Sequence, residues 1–296
     1  MSRLAPVSIA DGAESAYARR GNLQFALISL LVRALPRGKV IAARLLGRRL
    51  LLGPRGVVET DSGVAIAVDR SNIDFFAELQ KRNGAWDPHV TDACLRLLAG
   101  RAVFYDVGAN SGYVALEVAA RAPGVEVIAF EPQPGLAHNI AVSSALNRLT
   151  NVRVYAAMLG SRDGTGTIFL APQSIHASAV ARYEGSPSIA CPSASIDALV
   201  ESGGLPPPDL IKIDVEGAEA DVFAGAVRTI RHHRPALVFE ADMNLERFGQ
   251  TRGQLLAYLA SLAPYELFFL EPDGRMVAVD GDPANASPNL VAIPLR

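Results

Sequence analysis

Val103-Phe104-Tyr105-Asp106-Val107-Gly108-Ala109-Asn110-Ser111-Gly112-Tyr113 is the stretch whose reading decides the fold. Val103 to Val107 is a short apolar, β-branched and aromatic run, the pattern of a buried strand, and Val114 to Arg121 spaces its apolar residues for one buried helix face. Between them Gly108 and Gly112 leave no side chain where a ligand presses against backbone. The new helix adds free N–H groups and a positive dipole end. Asp106 is read as closing the strand with a carboxylate aimed into the same crevice.

The spacing narrows the ligand. Dinucleotide folds use G-x-G-x-x-G, because a pyrophosphate lies directly over the turn. Here the pattern is D-x-G-x-x-x-G with Asn110 in the middle slot, and an acid before the first glycine repels pyrophosphate but suits the α-ammonium of S-adenosylmethionine. Val125 to Phe130 is a second apolar strand ending at Glu131-Pro132, where Glu131 is placed to accept both hydroxyls of a ribose. The expected cofactor contacts are Asp106, Gly108, Ala109, Asn110, Gly112 and Tyr113 from the first turn, with Glu131 and Pro132 from the second. Val152 to Met158 is a third strand, whose Ala157 and Met158 are placed for an adenine ring. Asp163, in the turn Gly160 to Gly164, is read as turn chemistry.

Composition bounds the answer. A chain of 296 residues, half of them hydrophobic, can bury one large α/β core plus an appendage. A net charge of −2 gives no basic field for nucleic acid. Cys94 and Cys191 are far apart and form no redox or metal pair, so the expected setting is the reducing cytoplasm.

Three regions are expected: residues 1–56, basic and helical; residues 57–100, a hairpin-and-helix module; and residues 101–296, the S-adenosylmethionine-binding domain. From Ser15 to Val58 there is no acidic residue, while arginines recur throughout. Leu23 to Val32 is too short to span a bilayer, which takes roughly 20 apolar residues. Val40 to Leu52 interleaves leucine and arginine at helical spacing, with Pro36-Arg37-Gly38 as the break before it. Two readings stand: helices docked on the domain or a second subunit, or peripheral contact of residues 15–58 with an anionic membrane surface. The oligomeric state is left open. Val57 to Thr60 and Val64 to Val68 alternate around Asp61-Ser62-Gly63 as a hairpin. Phe75 to Gln80 and Val90 to Leu98 follow as helices. Trp86, the only tryptophan, packs structurally or covers the ligand mouth.

After Glu131 the elements alternate as a doubly wound sheet requires. Leu136 to Leu146 is helical, Thr165 to Leu170 a strand beside the sheet, and Ala171 to Ala190 a lid or substrate loop containing His176. Ser195 to Val200 is a short helix. The second informative stretch is Leu210-Ile211-Lys212-Ile213-Asp214-Val215-Glu216-Gly217-Ala218-Glu219. A strand ends at Asp214 and a helix runs from Glu219 through Ile230. Ligands of open α/β sheets lie beyond the carboxyl ends of the strands, so these acids line the crevice of Asp106 and Glu131. Ala236 to Phe239 is another strand, ending at Glu240. His232-His233 close the preceding helix as partners of its dipole. Gln254 to Leu262 is helical. Tyr265 to Leu270 and Leu290 to Ile293 then form a terminal antiparallel pair, which sets this sheet apart from a nicotinamide-binding one.

The blocks Phe104 to Tyr113, Ile128 to Pro132, Ile211 to Glu219, Pro235 to Glu240 and Asn289 to Pro294 resemble the FkbM family of S-adenosylmethionine-dependent methyltransferases. The resemblance runs from about Val57 to the C-terminus, and Lys212-Ile213-Asp214-Val215-Glu216-Gly217-Ala218-Glu219 is its most specific part. It implies a class I methyltransferase fold, a Rossmann-like doubly wound α/β sheet with a terminal antiparallel pair, here with an N-terminal helical appendage. It also implies O-methylation of a hydroxyl on a sugar, glycolipid or natural-product acceptor, free or lipid-linked. An alcohol is a poor nucleophile until its proton leaves, so a base is needed near the methyl group. Asp214 is the first candidate, Glu240 the second, with Glu216 in support; Asp214 also counts among the cofactor contacts. Lys212 holds an acceptor oxygen or neutralises the cluster. A divalent metal bridging Asp214 and Glu240 is chemically open but less favoured, and no metal ligand is assigned. Two other functions remain alternatives: a nicotinamide-dependent oxidoreductase, which the glycine spacing opposes, and a membrane-surface protein that binds S-adenosylmethionine without catalysis.

Overall fold

A computed structural model describes residues 4–20, 55–69, 71–170, 179, 186–281 and 286–295. The expected helices Leu23–Val32 and Val40–Leu52, the break between them, and His176 lie outside the described residues. The chain begins with α1 (Ala13–Arg20), which docks on the domain: Tyr17 is buried and donates to Asn139 Oδ1 at 2.7 Å. The hairpin β1 (Gly56–Glu59) and β2 (Ala65–Val68) follows, then α2 (Ile73–Lys81) and α3 (Pro88–Leu97). Val90, Ala93 and Cys94 give α3 its buried face, the i, i+3, i+4 pattern the sequence carries. The hairpin tip is fastened by Glu117, whose carboxylate accepts from Thr60 Oγ1 and Ser62 Oγ, each at 2.6 Å.

The βα alternation then runs β3 (Val103–Val107), α4 (Tyr113–Arg121), β4 (Glu126–Phe130), α5 (Pro134–Leu146) and β5 (Val152–Tyr155). An excursion follows, built of β6 (Met158–Leu159), β7 (Gly164–Phe169) and β8 (Ser188–Ala194), which form their own three-stranded sheet in the order β6-β8-β7. After α6 (Ile196–Glu201) and β9 (Leu210–Ile213) come α7 (Glu219–Ala224), α8 (Val227–His233), β10 (Ala236–Glu240) and α9 (Arg252–Leu262). Last are β11 (Tyr265–Leu270), β12 (Met276–Ala278) and β13 (Asn289–Pro294).

The main sheet has the order β12-β11-β13-β10-β9-β3-β4-β5. Its five strands from β10 to β5 are parallel, while β13 runs antiparallel to both β10 and β11. This is a class I methyltransferase sheet: a doubly wound parallel half, with a reversed last strand inserted between β10 and β11. The order reverses between β3 and β9, and a ligand crevice opens at such a point. Side chains alternate across the sheet, so Phe104 joins the core beneath α3 and α4, whereas Tyr105 and Val107 join the core on the other face.

Several elements differ from the sequence reading, each for a local reason. The expected third strand, Val152 to Met158, ends at Tyr155; its open edge is covered by the N-terminal segment, with Val7 N–H donating to Val154 O at 2.7 Å, and the chain leaves to start the small sheet. Of the expected loop from Ala171 to Ala190, residues 171–178 and 180–185 lie outside the described residues, and its last three belong to β8, which begins at Ser188. The expected helix from Glu219 to Ile230 is two helices. At Gly225 the chain passes so close to the Gly160 carbonyl that a side chain there would overlap it, and Asp197 caps the second helix by accepting from Arg228 N (2.9 Å) and Thr229 N (2.7 Å). The terminal antiparallel pair is present, with β12 added at the outer edge of β11.

Candidate active site

The tips of β3, β4, β9 and β10, together with the start of β13, surround a cavity of about 640 Å³. Gly108 takes φ +76° and Asn110 φ +54°, so the loop after β3 curls tightly; both Gly108 N–H and Ala109 N–H donate to Phe130 O at 3.0 Å. A side chain at Gly108 would overlap the carbonyl oxygen of Asp214. Glycine is required there for close packing of two loops as well as for its backbone angle.

Glu131, just past β4, lines the cavity on the side of the glycine loop. One carboxylate oxygen accepts from Asn110 N–H and the other from Gln133 N–H, both at 2.9 Å. Burial pushes its carboxyl up to about 7, against the pull of those two N–H groups. The Gln133 side chain also donates to it, and the remaining acceptor capacity of the carboxylate is what a donating diol hydroxyl needs. Ala157 and Met158 line the wall beside it, as do Ala109, Tyr113 and Pro132.

Two expected contacts are not on the wall. Asp106 is not the strand end: β3 continues to Val107, and alternation turns the Asp106 side chain down into the core, where it is fully buried. Its register partner across the parallel pair is Lys212, whose Nζ lies 3.2 Å from Asp106 Oδ1 and 3.3 Å from Asp214 Oδ2, and also donates to Gly108 O at 3.2 Å. The expectation that Asp106 meets the cofactor ammonium is therefore corrected: its cation is internal. Gly112 likewise stands behind the wall, at φ +81°, packed against Ile140.

Asp214, Glu216 and Glu240 do line the cavity. Asp214 lies one residue past β9 and keeps 43 % of its side chain exposed. Glu240, the last residue of β10, has its carboxyl pushed up to about 10 by burial and then by the neighbouring Asp214, Asp242 and Glu216, and it shares a hydrogen bond with Asp214. Glu216 adopts φ +57° and accepts from Asn244 Nδ2 at 2.9 Å, the same amide that holds Asp242. Glu219 turns away from the cavity: it is buried and accepts from Val215 N and Gly217 N at 3.2 Å, tying down the turn that presents Asp214. Among the described residues no group of three or more His, Cys, Asp and Glu side chains is arranged to hold a metal ion.

Sequence reasoning missed the far wall. Arg82 and Asp87 come from the connection between α2 and α3, Val90 from α3, and Trp86 joins them while packing on Phe75 at 5.4 Å between ring centroids. Only the aromatic in Asn83-Gly84-Ala85-Trp86-Asp87-Pro88 signalled this in the sequence. Asn289, also on the wall, lies 3.4 Å from His89 Nε2 at the start of α3.

The chain matches the Methyltransferase FkbM domain over residues 106–266. It belongs to the FkbM methyltransferase family. Two curated proteins are similar to it in sequence. The hexuronic acid methyltransferase AglP of Haloferax volcanii is 32 % identical over 129 residues, which are 44 % of this chain and 52 % of AglP. The 2-O-methyltransferase NoeI of Sinorhizobium fredii is 27 % identical over 198 residues, 61 % of this chain and 77 % of NoeI. The match to AglP thus spans about half the length of that relative. Among solved structures, a methyltransferase FkbM from Methylobacillus flagellatus is similar with a TM-score of 0.42 at 16 % identity, covering 76 % of this chain and 55 % of that one. Among the described residues no helix is long and apolar enough to cross a membrane.

Proposed function

We propose that this FkbM-family chain is an S-adenosylmethionine-dependent O-methyltransferase acting on a hydroxyl of a sugar or sugar-containing acceptor. The observation that carries the reading is the division of one cavity into two chemistries: the diol-accepting Glu131 beside Ala157 and Met158 on one side, and the carboxyl pair Asp214 and Glu240 on the other. Two relatives named as a hexuronic acid methyltransferase and a 2-O-methyltransferase support a sugar hydroxyl as acceptor.

The residues present fit the cofactor. Glu131 would hold the ribose hydroxyls, Ala157 and Met158 the adenine, and the peptide groups from Gly108 to Asn110 the amino-acid end. When bound, the sulfonium supplies a methyl group that is already electrophilic. The chain's task is then to align an acceptor oxygen and to keep water away, which is worth on the order of 7–11 kcal/mol. Asp214 accepts the hydroxyl proton as the oxygen forms its new bond. Glu240, protonated at neutral pH, donates to Asp214 and fixes its direction. Lys212 anchors Asp214 from below.

Calorimetric titration with S-adenosylmethionine, followed by incubation of the protein and labelled cofactor with a glycan extract, tests the reading. Binding and a labelled, alkali-stable glycan product are expected. No binding overturns it; binding without any product in an active extract leaves a binding protein in its place.

A further inference from the structure

We infer that the half of the cavity built by the 57–100 segment is a saccharide subsite that accepts an uncharged pyranose and discriminates against one bearing a carboxylate; this rests on the methyl-transfer reading above. The sheet order locates the subsite. The tips of β3 and β4 hold the glycine loop and Glu131, so the cofactor half lies there. On the other side of the switch point come the tips of β9 and β10 and the start of β13, with Asp214, Glu240 and Asn289. His89 approaches Asn289 within 3.4 Å, which sets the start of α3 over that end. Arg82, Trp86 and Asp87 therefore complete the half of the cavity beyond the reacting groups.

Their side chains are joined to one another. The Arg82 guanidinium lies 4.7 Å from the Trp86 ring centroid and is held at 2.7 Å by Asp87. Asp87 occupies φ +41°, a left-handed position, at the residue before Pro88. An indole beside a fixed guanidinium and carboxylate offers an apolar face for sugar C–H groups and paired donors and acceptors for adjacent hydroxyls.

Charge supplies the discrimination. Beside Glu240, whose raised carboxyl is neutral, the cavity wall carries the acids Glu78, Asp87, Glu131, Asp214 and Glu216 against the cations of Arg82 and Lys212. Both cations are committed, Arg82 to Asp87 and Lys212 to Asp106 and Asp214. Among the described wall residues a carboxylate on the acceptor meets only cations that are already ion-paired, and an excess of acids over cations. The segment lies outside residues 106–266, the part matched to the family, so acceptor choice can differ here while the cofactor half stays the same.

Because Trp86 is the only tryptophan, its emission reports on this subsite directly. The full chain, saturated with S-adenosylhomocysteine, is titrated with the methyl glycosides of glucose, galactose, mannose and rhamnose, and with those of glucuronic and galacturonic acid. A neutral glycoside is expected to shift the emission saturably, and its uronate counterpart to bind roughly tenfold or more weakly. Arg82→Gln, which leaves Trp86 in place, is expected to weaken the neutral glycoside by about 3–10-fold while the calorimetric affinity for S-adenosylhomocysteine is unchanged. A uronate that binds as well as its neutral partner overturns the inference, as does an emission that no glycoside moves. Failure of the wild-type chain to bind S-adenosylhomocysteine overturns the methyl-transfer reading itself.

Discussion

Lys212 Nζ lies 3.2 Å from Asp106 Oδ1 beneath the floor of the cavity, so the glycine loop rests on a buried ion pair. The same ammonium holds Asp214 and the Gly108 carbonyl, and the nearby carboxylates hold it firmly charged despite burial. Removing it strands a carboxylate in the core. Lys212→Met is expected to destabilise the fold by roughly 3–5 kcal/mol, measured by urea denaturation. Asp106→Asn added to that variant is expected to restore part of the loss, because no charge is then left unpaired. A double variant no more stable than Lys212→Met would show that the pair is not what supports the loop.

Gly108 and Gly112 both have left-handed backbone, but what a side chain would meet differs. At Gly108 it would overlap the backbone carbonyl of Asp214; at Gly112 it would press less closely, on the Ile140 side chain at 2.8 Å. Gly108→Ala is expected to cost more stability than Gly112→Ala, beyond the ~1–2 kcal/mol of left-handed strain common to both, and to abolish cofactor binding. Thermal unfolding and calorimetry of the two variants check the order.

Much of this was legible in the sequence, and the limits have physical causes. The strand, turn and helix from Val103 to Arg121, the acids at Glu131, Asp214 and Glu240, and the reversed last strand follow from periodicity and turn residues. Asp106 did not follow, because its role hangs on one residue of strand length: Glu131 and Asp214 stand just beyond their strands, whereas Asp106 stands inside one and turns into the core. The break at Gly225 comes from a backbone passing from Gly160, 65 positions earlier, and local pattern carries no trace of it. The far wall was hidden for a similar reason, since Arg82 and Asp87 reach the cavity only through packing of α3 across the sheet.

On the proposed cofactor reading, Glu131 links affinity to pH. Its carboxyl sits at about 7 in the free protein, and a ribose diol donating to both oxygens favours the ionised form. Affinity for S-adenosylhomocysteine is therefore expected to rise as pH increases from about 5 to 7 and to level off above, with a proton released on binding below the plateau. Glu131→Gln is expected to bind roughly 10–100-fold more weakly, the scale of hydrogen bonds to a charged group, and to lose the pH dependence. Titrations in buffers of different ionisation enthalpy read both effects.

Glu219 gives a stability signature of opposite sense. Its carboxyl is raised from 4.5 to about 7, chiefly by burial, so between those values the folded chain holds a proton that the unfolded chain has released. Stability contributed by that proton is complete below pH 4.5 and is lost as pH rises through 7, at roughly 1.4 kcal/mol for each pH unit between the two values. Glu219→Gln keeps an acceptor for Val215 N–H and Gly217 N–H and has nothing to titrate. Wild type minus variant stability, from urea midpoints at a series of pH values, is expected to fall from pH 4.5 to 7 and stay flat above.

On the proposed reading, the carboxyl pair Asp214 and Glu240 divides into two roles. Asp214 is exposed to the cavity and ion-paired to Lys212, whereas Glu240 is held protonated by burial and by the acids around it. Asp214→Asn removes the proton acceptor and is expected to lower kcat by about 10²–10⁴-fold, with S-adenosylhomocysteine affinity within a few-fold of wild type. Glu240→Gln retains a donor toward Asp214 and is expected to lose about tenfold or less, while Glu240→Ala loses more. The sign of the pH effect follows: in the wild type the donor disappears as pH rises toward 10, so kcat falls on that alkaline limb. In Glu240→Gln the limb is absent. An identical alkaline limb in both proteins would assign the titration to another group and leave Glu240 with packing alone.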